Sequence, residues 1–128
     1  MTEFYGYMRP DGKVGIRNHL LVIAPIDCSY EPAKQVAARV EGAVAVTQYH
    51  GCRADEMLVN TLVGTGRNPN VAGVLLFGLG CEELTNEMLM EGLKDTGKPV
   101  ESIVIQEDGG TIRSMENWEV NVSFQSLT

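Results

Sequence analysis

No run of about eighteen consecutive apolar residues occurs in this sequence, which removes the membrane-spanning helix from consideration. The first residues, MTEFYGYMRP, carry neither a basic segment nor a signal-like apolar core, so a cytoplasmic protein is expected. Positive charge is scarce: ten Lys and Arg stand against seventeen Asp and Glu, for a net charge of -7. That balance disfavours a nucleic-acid backbone or an anionic membrane surface as the main partner, while a few local arginines suffice for a small acidic ligand. Cysteine is scarce too. Cys28, Cys52 and Cys81 form an odd, widely spaced set, which suits thiols or metal ligands in a reducing compartment better than a disulfide framework. Gly78-Leu79-Gly80 lacks the glycine spacing of a dinucleotide fingerprint, and no ribose-binding carboxylate stands at the required place.

What the chain does have is periodic order. Its 128 residues are 44% hydrophobic, enough for one ordinary core and too apolar for disorder. Four apolar runs read as strands: His19 to Ile26, broken at its end by Pro25; Ala43 to Tyr49; Val74 to Phe77 within VAGVLLFG; and Val100 to Ile105. Between them fall helical patterns. The first is capped by Ser29, tolerates Pro32 in its first turn, turns Val36, Ala37 and Val40 inward and ends at Gly42. The second runs from about Ala54 to Val63, with Leu58 and Leu62 on one face and Gly64 and Gly66 as its stop. The third runs from about Glu82 to Thr96, with Leu84, Met88, Leu89 and Leu93 as its stripe and Gly97 and Pro99 as its stop. The order βαβαβαβ predicts an α/β fold of three layers: a mostly parallel, Rossmann-like sheet of four or five strands with helices on both faces. One α/β domain is expected over 1–128, with 113–128 a poorly defined tail.

Each cysteine follows a strand and precedes a helix. All three are thus expected along one edge of the sheet, near helix amino termini that favour thiolate. Neighbouring strands lie about 4.8 Å apart, so the three exits can converge on one ion or cluster. Two chemistries fit: an iron–sulfur cluster on Cys28, Cys52 and Cys81, or a divalent metal such as iron or zinc that also uses His50 and an acidic residue such as Glu82. The plain alternative is three small side chains packed at crowded turns. His50, beside Cys52, is the better candidate for a ligand or general base, whereas His19 opens a strand and satisfies a carbonyl in the plain reading. Two loops are ambiguous between a turn and an anion site: Arg9 to Asn18, with Arg9, Lys13 and Arg17, and Gln106 to Thr111, with Gly109 and Gly110.

The motifs GYMRPDGKVGIRNHLLVI, Asp27-Cys28-Ser29, His50-Gly51-Cys52, NPNVAGVLLFGLGCEE and IQEDGGT together resemble the UxaA/GarD family, the altronate and galactarate dehydratases, which also includes the large subunit of sulfolactate sulfo-lyase. The resemblance covers roughly residues 4 to 112. It implies a lyase, dependent on Fe2+ or another divalent metal, that eliminates water from a sugar acid such as altronate or galactarate, or sulfite from sulfolactate. It further implies that Arg9, Arg17, Asn18, Gln106, Gly109 and Gly110 serve substrate binding, that His50, His19 and Lys13 are candidates for catalysis, and that Cys28, Cys52, Cys81 and Glu82 line the metal end. The chain is then one module of a larger dehydratase, completed by further domains or a second subunit. A non-catalytic α/β assembly or regulatory subunit is the reading from another class.

Overall fold

The computed structural model describes residues 3, 5–47, 56–80, 86–107 and 109–110. Four strands, β3 (His19–Ala24), β4 (Ala43–Thr47), β5 (Val71–Gly78) and β6 (Val100–Val104), form one sheet in the order β4-β3-β5-β6 with every neighbouring pair parallel. A separate pair, β1 (Tyr7–Met8) and β2 (Val14–Gly15), makes a short antiparallel hairpin.

Alternation along the strands divides the core in two, because successive side chains point to opposite faces. Leu21 and Ile23 of β3 and Val74 and Leu76 of β5 face helices α2 (Glu56–Arg67) and α3 (Asn86–Leu93), against Leu58, Leu62, Leu89 and Leu93. Val22 and Ala24, with Leu75, Phe77 and Ile103, face α1 (Tyr30–Ala38) through Ala33, Val36 and Ala37. The predicted three-layer α/β architecture is the one observed. Burial on both faces explains why β5 reads as an unbroken apolar run.

Several local expectations change. β3 stops at Ala24, one residue before Pro25, which lacks the N–H to continue the ladder. Ser29 stands at the start of α1, but its hydroxyl donates to Ile26 O at 2.9 Å and caps no helix N–H. It closes a 3-10 turn over Asp27–Ser29 instead. Gly64 and Gly66 do not stop the second helix, which continues to Arg67. Gly66 is needed inside it: an added Cβ would sit 2.9 Å from Leu93 Cδ2, so glycine lets α2 and α3 approach closely. The third helix gives way after Leu93 to a 3-10 turn, Lys94–Thr96, ended by Gly97 at φ +71°. Met88 points outward rather than into the stripe, which Asn86, Leu89 and Leu93 supply. The expected beginnings of the second and third helices, the end of the second strand and the tail lie outside the described residues.

Candidate functional site

In a doubly wound sheet the ligand crevice forms outside the carboxyl ends of the strands, where consecutive connections leave in opposite directions. Here that switch lies between β3 and β5. The chain passes from β3 to one side through α1 to reach β4, then returns across the sheet through α2 to β5. Parallel register brings the carboxyl ends together: Ala24 pairs with Thr47, and Gly78 pairs with Val104.

Each exit is built tightly. Thr47 Oγ1 donates to Ala24 O at 2.9 Å and ties β4 to β3. Pro25 and Ile26 are buried, and the turn that follows delivers Cys28 exposed at this edge. Beyond β5 the backbone turns at Gly80, whose φ of +124° is natural only to glycine. The exit of β6 folds against it: Ile105 N–H donates to Gly78 O at 2.9 Å and Gln106 N–H to Leu79 O at 3.0 Å. The Gln106 side chain fills the space beside Gly80, its Oε1 2.7 Å from where a Cβ would stand. Gly109 and Gly110 both take positive φ, and Gly110 N–H returns to Ile105 O at 2.9 Å. Cys28, Gly80, Gln106, Gly109 and Gly110 thus belong to the carboxyl edge. His50, Cys52, Cys81 and Glu82 lie outside the described residues.

The remaining candidates sit at the opposite, amino edge. His19 begins β3, and Ala24 ends it about 17 Å away at ~3.3 Å per residue. Arg9 is buried, and its guanidinium donates to Pro69 O at 2.6 Å, Asn18 Oδ1 at 2.9 Å and Arg17 O at 2.7 Å. Burial pulls it below the usual guanidinium value, yet it stays charged. Its fork holds the β1–β2 hairpin onto the loop after α2. Asn18 is occupied by Arg9. His19 Nδ1 is 3.0 Å from Gly42 O, the plain role expected for it, and the donating Nδ1–H leaves Nε2 bare in the neutral ring. Lys13 and Arg17 are exposed. Among the described residues the Arg9 loop and the Cys28 turn therefore lie at opposite edges of the sheet.

Two buried polar residues escaped the sequence reading. Asn86, 2% exposed, donates from Nδ2 to Ser102 Oγ at 2.8 Å and Ile103 O at 3.0 Å, pinning the start of α3 beneath the β6 exit. Its spacing with Leu89 and Leu93 on one helical face was the available signal. Lys98 is buried at the amino edge and donates from Nζ to Gly66 O at 3.0 Å and Asn68 O at 2.7 Å, at the negative end of α2. Its signal was hidden between the two helix-stopping residues Gly97 and Pro99.

Of the expected metal ligands, Cys28 alone falls among the described residues. Among them no three His, Cys, Asp or Glu side chains converge on a point that could hold an ion. Cys28 alone is not a donor set.

Residues 6–123 match the sequence pattern of the D-galactarate dehydratase/altronate hydrolase second domain, and the chain belongs to that family. Among curated relatives it is 40% identical over 110 residues to the (2R)-sulfolactate sulfo-lyase subunit beta of Chromohalobacter salexigens, covering 83% of this chain and 28% of that one. It is 30% identical over 103 residues to the altronate dehydratase of Escherichia coli (70% of this chain, 21% of that one) and 27% identical over 106 residues to that of Bacillus subtilis (72% and 21%). The chain thus spans about a quarter of the length of the relatives it matches. No solved structure matches it significantly. No described helix is long and apolar enough to cross a membrane.

Proposed function

We propose that this chain is one module of a lyase that eliminates water from a small sugar acid such as altronate or galactarate, with the substrate bound at the carboxyl edge between the β3 and β5 exits. The observation that carries this reading is the coincidence of the topological switch with an exposed thiol at Cys28 and with the glycine-lined turn that Gln106 closes. Elimination of this kind removes the proton on the carbon beside the carboxylate. The electron pair left behind forms the new carbon–carbon double bond as the β-hydroxyl departs with a proton as water, and the enol product tautomerises to a keto acid. His50, which follows the end of β4, is the proposed base. His19 and Lys13, the other candidates for catalysis, lie at the opposite edge of this sheet. Gly109 and Gly110 carry no side chains to hinder a carboxylate's approach to this turn, although the Gly110 N–H is already given to Ile105 O.

Cys28, Cys52, Cys81 and Glu82 are the proposed ligands of an Fe2+ or similar ion, or of an iron–sulfur cluster. When bound, such a group would stabilise the negative charge that grows on the substrate oxygens. The remainder of the site comes from polypeptide that the relatives carry beyond the matched region.

A second reading has its own support. The greater identity to the sulfo-lyase subunit, 40% against 30% and 27%, favours sulfite over hydroxide as the leaving group, departing with the carbon–sulfur electron pair. The enzyme assembled with its missing parts and purified anaerobically decides between them. Turnover of altronate or galactarate supports the first reading, and turnover of sulfolactate alone the second. An assembly inert on all three overturns both. Metal and acid-labile sulfide in the same preparation test the cofactor: one equivalent of metal without sulfide indicates a single ion, both together a cluster, and neither removes it.

A further inference from the structure

We propose that Asn86 is a positioning residue of the lyase, holding the exits of β5 and β6 in the mutual placement that the reaction needs. The inference rests on the proposed function, which puts the substrate at this edge. From α3 the Asn86 amide reaches both strands near their carboxyl ends: Nδ2 donates to Ser102 Oγ at 2.8 Å and Ile103 O at 3.0 Å on β6, and lies 3.5 Å from Leu76 O on β5. All three partners accept, which fixes the amide: with its ends exchanged, Oδ1 would face two carbonyl oxygens. Oδ1 is thereby left buried, with no donor among the described residues.

Stability alone does not account for an amide here. Asn86 is 2% exposed and shares its helix face with the buried Leu89 and Leu93. A leucine, of nearly the same shape, would extend that apolar face and leave no buried acceptor unmet, which is a net cost to the folded chain. What leucine cannot do is bond two strands from a third element. Departures of this kind from an apolar core concentrate at functional sites. Both ends of the connection lead into the proposed site. Ile103 stands three residues before Gln106, whose side chain packs against Gly80 just past the end of β5. Cys81 and Glu82, proposed as metal ligands, stand five and four residues before Asn86 in the sequence. The amide therefore ties the helix that follows those ligands to the strand that precedes the turn proposed for the carboxylate. A misplacement of ~1 Å between such groups costs on the order of a hundredfold in rate.

Steady-state kinetics of Asn86→Leu in the assembled enzyme test the role. The value of kcat should fall at least tenfold while KM stays within threefold of wild type, because the site still binds substrate but no longer meets it in the reactive arrangement. A merely structural asparagine leaves kcat per folded enzyme unchanged, whatever happens to the melting temperature, and that result would overturn the proposal. Ser102→Ala covers the case in which Asn86→Leu does not fold, since it removes only one acceptor of the amide from an exposed residue. It should lower kcat at least threefold, and an unchanged kcat would overturn the proposal as well. A wild-type assembly inert on all three acids overturns the lyase reading and the positioning role together, whereas an active wild type matched by Asn86→Leu removes the positioning role alone.

Discussion

Gln106 occupies the space that a side chain on Gly80 would need, with Oε1 2.7 Å and Cβ 3.1 Å from the position of the missing Cβ. This contact makes the exits of β5 and β6 one unit. Gly80→Ala must both displace the glutamine and hold alanine at φ +124°, a strain of about 1–3 kcal/mol. Urea unfolding should show a loss of that size. In a Gln106→Gly background the same substitution should cost less, because only the backbone term remains. Equal losses in the two backgrounds would mean that the contact carries no energy.

Arg9 and Arg17 look equivalent in the sequence and are not so in the fold. Arg9→Lys cannot reproduce a fork spanning Pro69, Asn18 and Arg17, and thermal melts should show a loss of about 1.5–3 kcal/mol. Arg17→Lys should stay within about 0.5 kcal/mol. Unchanged stability in Arg9→Lys, with a raised KM in the assembled enzyme, would instead give Arg9 to the substrate.

Burial lowers the Lys98 pKa to about 8 from 10.5, partly countered by Asp11 and reinforced by the charges of Arg9, Lys13 and Arg67. Between those two pH values the unfolded chain binds more protons at this lysine than the folded one, so its contribution to stability rises with pH through that window. It is lost again as pH falls through about 8. Stability measured at pH 8 and 10.5 should therefore differ between the wild-type chain and Lys98→Met by an increment favouring the wild type at the higher pH. Lys98→Met should also cost about 1–3 kcal/mol by leaving Gly66 O and Asn68 O without their donor.

Asn86→Ala should destabilise by about 1–3 kcal/mol, since Ile103 O loses a buried donor and Ser102 Oγ its partner. Denaturant melts provide the check. A change below 0.5 kcal/mol, roughly the level of a neutral surface substitution, would remove Asn86 as the pin of α3.

The architecture was legible because its signals are long and repetitive. Unbroken apolar runs marked strands covered on both faces, and the spacing of Leu58 with Leu62 and of Leu89 with Leu93 marked the helices above them. The strand exits were legible for the same reason: parallel strands joined by helices must end at one edge. What stayed hidden depends on contacts between distant segments. Nothing local distinguishes Arg9, held by a carbonyl sixty positions away, from an arginine waiting for substrate. Nothing local separates Gly66, which admits Leu93, from a glycine that stops a helix.

Whether the acid binds at the carboxyl edge is tested most directly by labelling two reporters in the assembled enzyme freed of metal, so that no ion holds the Cys28 thiolate. Cys28 marks that edge and Lys13 the opposite one. Iodoacetamide and an amine-reactive reagent, read by mass spectrometry with and without saturating substrate, should show Cys28 modification slowed at least tenfold while Lys13 is unchanged. Protection of Lys13 with Cys28 unaffected would contradict the account and move the substrate to the hairpin.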